Sequence, residues 1–401
     1  MDLFTYLLGK KGKNSLAHKG DLFAYLLGSK NQGEIKEATG TEINITDVTR
    51  EKIESLLMTK ESTQEGTPTP DNPVEIKTVK GYRNLFDKNN SIILNTYVGQ
   101  SSHVISTNAG GNFRTIAIPC KPNTQYFIKK FLGSTVLITG TSADIPTYGT
   151  ELNQYSLING QTKYSFETNS TANYLIAQIC TNSDINLGYT PQQILDSFQI
   201  TEGTEELPYV PYGTNWIYIK VSNGTDTNYY TIPLNDNEIV GIGDYKDELI
   251  VDKNGKCWLN KKTARKQLIS TGNITNPSSS LFIYYNSTQS INNYFVGGFC
   301  NFFNFKNDER IIDNATALRY LNDNEMAFRL IGTKDRTYIK SNNFNSLNDF
   351  KSFLDNNQVI LYYVLETPEL IDLNYDLDVR LFNGVNNISN SDDMDMTLKY
   401  Y

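Results

Sequence analysis

Between residues 84 and 213, short runs of β-branched and aromatic side chains recur at close intervals, each cut off by a cluster of Asn, Asp, Ser, Thr or Gly. That rhythm confines the segment to short strands joined by turns. Tyr, Phe, Thr, Ile and Val fit a pleated, half-buried surface. Asn, Asp and Ser side chains mimic turns, and Gly accepts φ > 0, so their clusters stop each strand. Strands are expected at 91–98, 115–118, 125–130, 135–139, 163–167 and 174–180, with clusters such as Asn108-Ala109-Gly110-Gly111-Asn112 between them. This is the pattern of a β-sandwich. One short helix is expected at 191–196, where Pro191 takes the first helical position.

The same alphabet continues to the C-terminus. Strands at 216–221 and 228–233 flank Asn223-Gly224, and strands at 248–252 and 256–260 flank Asn254-Gly255, both hairpin signals. A helix is expected at 347–356, where Ser346 and Asp349 make a capping box, and 358–365 is the most strand-like stretch of the chain. At 401 residues the chain exceeds what one hydrophobic core sustains, so two or more domains are expected. Aromatics make up 12% of the residues, 26 of them Tyr, against a hydrophobic share of only 39%, so core and surface both lean on rings with a polar handle.

Ahead of these strands stands an internal repeat. Asp2-Leu3-Phe4-Thr5-Tyr6-Leu7-Leu8-Gly9 recurs as Asp21-Leu22-Phe23-Ala24-Tyr25-Leu26-Leu27-Gly28. Each copy reads as a short helix capped by Asp and ended by Gly, with Leu3, Phe4, Leu7 and Leu8, or Leu22, Phe23, Leu26 and Leu27, forming one apolar face. Helices this short are marginal alone in water, so the faces need a partner surface. Either they cap the chain's own first domain, or they anchor it in hydrophobic grooves of a larger assembly. Residues 31–50 read as polar loop. Residues 52–63 read as a strand, with a helix over 49–57 as the alternative. Thr67-Pro68-Thr69-Pro70-Asp71-Asn72-Pro73 follows, in which each Pro removes a donor and holds the chain extended, a rigid exposed connector. The expected division is an anchor at 1–50, strand and connector at 51–83, one β module at 84–213, and a second β-rich module with one short helix at 214–401.

Several function classes are disfavoured. The net charge of -8 leaves no concentrated basic face for nucleic acid. Cys120, Cys180, Cys257 and Cys300 are widely spaced, so neither a zinc site nor a disulfide framework is indicated, and free thiols are expected. No apolar run approaches the roughly 20 residues of a membrane span. Lys10, Lys11 and Lys13 follow the first apolar stretch instead of preceding it, which is wrong for a secretory signal. His18 and His103 sit in no catalytic motif, no nucleophile elbow or P-loop occurs, and no cofactor is expected. Gly241-Ile242-Gly243 lacks the third glycine of a dinucleotide fingerprint. Asp252-Lys253-Asn254-Gly255 and Asp392-Asp393-Met394-Asp395 lack the spaced carboxylate of a calcium loop and read as a hairpin turn and a solvated acidic loop.

Thr63-Gln64-Glu65-Gly66-Thr67-Pro68-Thr69-Pro70-Asp71-Asn72-Pro73-Val74-Glu75-Ile76 resembles the connector of tail, baseplate and receptor-binding proteins of phages that infect Gram-positive bacteria. Asn84-Leu85-Phe86-Asp87 is similar to the opening of the jelly-roll, carbohydrate-binding-like module that follows that connector. Phe198-Gln199-Ile200-Thr201-Glu202-Gly203 and Pro208-Tyr209-Val210-Pro211-Tyr212-Gly213 are similar to its closing strand and tail. Asp247-Glu248-Leu249 with Lys253-Asn254-Gly255, the stretch Tyr362-Tyr363-Val364-Leu365-Glu366-Thr367-Pro368, and the duplicated N-terminal peptide also resemble segments of these proteins. The resemblance implies tandem jelly-roll-like modules in a virion tail, baseplate or fibre protein, made in the host cytoplasm. It implies a homo-oligomer, with a trimer favoured, held to other virion proteins through the N-terminal repeat and displaying a surface for host glycans. A purely architectural spacer without a ligand is the alternative.

Glycan binding needs a flat aromatic face against a pyranose, with carboxylates or amides fixing the hydroxyls. In the first module Tyr126, Tyr148, Tyr155, Tyr164 and Tyr174 are candidates, and in the second Tyr284, Tyr285, Tyr294 and Phe295. A surface-polysaccharide depolymerase needs only two suitably spaced carboxylates, for which Glu202, Glu205 and Glu206 are the clustered set, although they fall in a segment that the resemblance assigns to scaffold.

Overall fold

The computed structural model describes residues 35–48, 53–107, 111–295 and 297–401. Both copies of the repeated peptide, with the anchor faces at Leu3, Phe4, Leu7, Leu8, Leu22, Phe23, Leu26 and Leu27, lie outside the described residues, as does the ambiguous stretch 49–52. The described residues are mostly strand, in curled sheets whose neighbouring strands run antiparallel among those residues except for Asn304–Phe305 beside Glu325–Lys340.

The strands from Ile92–Leu94 to Phe198–Glu202 pair only with one another, whereas Lys36–Gly40, Ile43–Val48 and Ile53–Thr59 before them pair with strands after them. Ile53–Thr59 lies between Asp395–Tyr400 and Glu248–Val251 in a seven-stranded sheet, and Ile43–Val48 pairs with Gly384–Asn390 in a four-stranded one. The middle of the chain is thus an insert in a frame built from both ends. The two frame sheets enclose one core of alternating aliphatics, among them Leu56, Met58, Ile217, Ile219, Leu249, Leu259, Met396 and Leu398.

Two long strands of the frame, Lys256–Leu268 and Val359–Asp376, continue past this core into a second one. Cys257, Leu259 and Leu373 belong to the first, while Leu268, Val359, Leu361 and Val364 belong to the second, which is rich in Phe and covered by the helix Leu347–Asn356. Between the cores the ladder breaks: Lys261 faces Glu369 but Thr263 faces Val364, so residues 365–368 are looped out, and Pro368 sits where no ladder donor is needed. The buried carboxylate of Asp247 fills the break. It accepts hydrogen bonds from the Lys262 amide at 2.8 Å, the Thr263 amide at 3.0 Å and the Val240 amide at 3.0 Å, and it also holds the Lys261 ammonium.

The insert packs a five-stranded sheet against a three-stranded one around Ile116, Ile128, Leu175, Phe198 and their neighbours. The outer face of the larger sheet is covered in turn by the hairpin Thr96–Val98 and Ile105–Thr107 over Ala117, Ile138 and Ile176. The expected helix Pro191–Asp196 forms as read, with Thr190 as its cap, and so does Leu347–Asn356, where Ser346 accepts from the Asp349 amide at 3.2 Å.

Three expectations are corrected. Residues 31–50, read as polar loop, hold the strands Lys36–Gly40 and Ile43–Val48, and Ile43 and Ile45, alternating on the inward face, enter the first core together with Val48. The Pro-rich stretch is largely exposed as expected but is not extended, because Thr69 and Asn72 bond each other's backbone at 3.1 Å across Pro70-Asp71. Pro presets φ at the second position of such a turn. The flanking strands Thr63–Gln64 and Ile76–Lys77 then pair, Pro68 is buried, and Ile76 enters the second core. The C-terminal part carries not one helix but two. Asn314–Tyr320 is the other, started by Asp313, whose carboxylate accepts from the Thr316 amide at 2.9 Å.

Candidate functional site

The insert is joined to the frame where its first and last residues meet. Tyr82 and Trp216 exchange backbone bonds of 2.8 Å in both directions, and Asn84 bridges to Tyr212. The Asn84 amide is buried and fully used. Its Nδ2 donates to the carbonyls of Phe198 at 3.0 Å and Val210 at 3.3 Å, and its Oδ1 accepts from the amides of Phe86 at 3.0 Å and Ile200 at 3.1 Å. Donors and acceptors at these four positions require Asn, since Asp offers no donor and Leu neither. One side chain therefore ties the opening, closing and departing segments of the insert together.

Over this joint lies a groove of about 170 Å³, lined by Asp87, Lys88, Asn89, Asp196, Tyr209, Pro211 and Tyr212 among others. Ligand pockets for drug-sized molecules run to several hundred Å³, so this groove suits one ring. Tyr212 is 52% exposed and Tyr209 40%, leaving aromatic surface open. Tyr209 is held by its hydroxyl, which donates to the Asp196 carbonyl at 2.6 Å, and by an edge contact to Phe131 at 5.2 Å. Lys88 and Asp196 form an ion pair at 2.5 Å, and the Lys88 bond keeps the Asp196 carboxyl below its ordinary range. Asp87 is likewise held down, chiefly by the Asn90 amide at 2.6 Å and also by the Asn89 N–H at 2.9 Å. Rings, two ionised carboxylates and an ammonium around one small concavity are the means of holding a polar ring through its faces and its hydroxyls.

None of the five tyrosines expected in this module lines that groove. Tyr126 is buried in the core, its hydroxyl accepting from the Lys121 amide at 2.9 Å, and offers no face to a ligand. Tyr155 is half-buried under His103, the rings stacked at 4.1 Å. Tyr148 is 66% exposed on the Thr147–Thr150 turn. Tyr164 packs against the core beside Phe166, and Tyr174 begins a central strand opposite Pro119 and Ser142. In the frame, Tyr284 is buried and Tyr285 half-buried, while the side chains of Tyr294 and Phe295 lie outside the described residues. Asp87, Tyr209, Pro211 and Tyr212 fall inside the motifs that open and close the module, and Lys88, Asn89 and Asp196 lie within two residues of them. The signal that locates them is that these motifs must meet if their strands close one unit.

The clustered glutamates are each engaged. Glu202 pairs with Lys121 at 3.0 Å, Glu205 accepts from the Tyr218 hydroxyl at 3.0 Å, and Glu206 bridges Lys129 and Lys163. A larger cleft of about 340 Å³ lies at the Asp252-Lys253-Asn254-Gly255 turn. It has no aromatic lining, and Asp252 Oδ1 is turned to the Asn254 and Lys256 amides at 2.7 and 3.1 Å. Among the described residues no three His, Cys, Asp or Glu side chains group as metal ligands, and no helix is long and apolar enough to cross a membrane. All four cysteines are free, and burial pushes Cys257 up to about 12 and Cys120 and Cys300 up to about 11. Set against family models, curated proteins and solved structures, the chain matches none.

Proposed function

We propose that this chain is a phage virion structural protein, of a tail, baseplate or fibre, that anchors through its N-terminal repeat and presents jelly-roll-like β-sandwich modules for recognition of host-surface glycans. The observation that carries the recognition half is the groove over Asn84, because it sets Tyr209, Tyr212, Asp87 and Asp196 around a space the size of one sugar ring. Asp87, Tyr209 and Tyr212 belong to motifs on which the family resemblance rests, while Asp196 ends the helix Pro191–Asp196 just before the closing strand. The facing five- and three-stranded sheets are read as the jelly-roll module, and a homo-oligomer, with a trimer favoured, is the form in which such a protein works. The engagement of Glu202, Glu205 and Glu206 in ion pairs and a tyrosine contact favours binding over cleavage at that cluster.

Fluorescently labelled protein should be retained on intact Gram-positive cells, and Tyr212→Ala with Tyr209→Ala should lower that retention about tenfold, as removal of stacking rings does. Equal retention of the variant would remove the groove from the proposal. Release of reducing ends from host glycans would replace binding by hydrolysis.

A further inference from the structure

The strand Glu325–Lys340 doubles back on itself. Its 16 residues, drawn straight, would span about 50 Å. Its ends instead meet: Ser341 Oγ donates to Asn324 Oδ1 at 2.7 Å, and the Asn342 amide to Asp323 Oδ1 at 2.7 Å. Residues equally far in from the two ends stand abreast. Met326 and Ile339 share the Phe-rich core, and Ala327 and Tyr338 share the cluster on the opposite face. Side chains alternate along a strand, so the next abreast pair on that opposite face is Arg329 and Arg336.

Neither arginine has a carboxylate at ion-pair distance among the described residues. Arg329 Nη1 donates to the Ile311 carbonyl at 2.9 Å, and Arg336 Nη1 reaches only the Tyr338 hydroxyl at 3.5 Å. Both Nε donors are buried without a partner among the described residues. Other cations of this part of the chain have partners: Lys306 pairs with Glu325 at 3.1 Å, Arg310 with Asp308 at 2.6 Å, and Lys340 donates to the Leu318 and Leu321 carbonyls at 2.8 Å. The Arg336 guanidinium stands 5.6 Å from the centre of the Tyr285 ring, and Tyr338 is fully buried, so the cluster has a firm floor and wall.

Like charges opposed across strands repel, and partly buried cations without a counter-charge are costly. An oxyanion between them reverses both effects, because the planar fork of a guanidinium matches phosphate and carboxylate oxygens. We propose that Arg329 and Arg336, set abreast beside Tyr338 and Tyr285, form a receptor for one oxyanionic group, a phosphate or carboxylate carried by an extended ligand. It stands on a different core from the groove over Asn84 and does not depend on that reading.

The test uses the full chain titrated with methyl phosphate or acetate at constant ionic strength, followed by calorimetry and by thermal melting. At least one anion should bind and raise the melting temperature with concentration, as a ligand of the folded state does. The stronger of the two names the group recognised. Arg329→Gln and Arg336→Gln should each weaken binding by about tenfold, the effect of losing one charge-assisted bond. Arg336→Lys, which keeps the charge and loses the fork, should fall between. In anion-free buffer the Gln variants should melt no lower than the parent, since one repelling charge is gone. The proposal is overturned if neither anion binds the parent chain at tens of millimolar, if both Gln variants bind as the parent does, or if they melt lower without anion, which would mark the arginines as structural. Should a variant not fold, titration of the parent chain decides alone.

Discussion

The insert and the frame each close around a buried aspartate paired with a lysine, and the two pairs differ in one respect. In the insert, Asp184 accepts from the amides of Ser134 at 2.5 Å and Thr181 at 2.7 Å, and pairs with Lys130 at 2.7 Å with both side chains fully buried. In the frame, Asp247 also takes backbone amides, but Lys261 remains 14% exposed. Burial lowers the Lys130 pKa despite its partner, whereas Lys261 can stretch its stem to water. The insert's pair is therefore indispensable as a pair, and the frame's aspartate is mainly a backbone plug.

Breaking that comparison gives the largest effect. Asp184→Ala strands an ammonium inside the insert and should cost about 4 kcal/mol in urea denaturation, while Lys130→Met with Asp184→Leu should recover most of it. A double variant as damaged as the single one would mean that the backbone bonds of Asp184, and not its charge, carry the stability. At the joint, Asn84→Leu leaves four backbone groups without partners and should cost about 3 kcal/mol. Its unfolding should also separate into two transitions, since the tie between the insert's segments is cut. Asp247→Ala should cost about 2 kcal/mol, less than Asp184→Ala, because the Lys261 ammonium it also releases keeps the Glu238 carbonyl at 2.8 Å and some exposure to water. A larger loss than for Asp184 would reverse the ranking of the two regions.

The smallest effect is acid sensitivity. Asp308 is held near a pKa of about 2, chiefly by Arg310, and Asp87 and Asp196 are also held low. Unfolded carboxylates titrate near 4, so on acidification the unfolded chain takes up protons first. The stability these groups add is whole above about pH 4 and is lost as the pH falls toward about 2. Denaturation at several pH values should show that decline, and Asp308→Asn should flatten it slightly, exposed pairs being weak.

Local chemistry made much of this legible. The strands Gln125–Lys130, Lys163–Glu167 and Tyr174–Cys180 and the helix Pro191–Asp196 were readable because their stop signals lie within a few residues of them. What escaped depends on distance along the chain. That Ile53–Thr59 would lie between Glu248–Val251 and Asp395–Tyr400 follows from no local pattern, since any apolar strand edge competes for it. The turn at Pro70-Asp71 is not legible in the sequence because proline favours both extension and turning, and only the pairing of Thr63–Gln64 with Ile76–Lys77 decides between them. Tyrosine content pointed to Tyr126, yet a ring on an inward position of a central strand is consumed by packing. Tyr209 and Tyr212 stay available because their segment leaves the sheet.

The mutual bonds of Tyr82 and Trp216 have a mechanical consequence. A load applied to the insert does not hang from a single thread, because both the inbound and outbound chains run straight into the frame, through Val79 beside Ile239 and through the strand Asn215–Ser222. Tension divides between two attachments that must slip together. Pulling on the insert would strain these backbone bonds together, and the insert would keep its orientation to the frame instead of swinging.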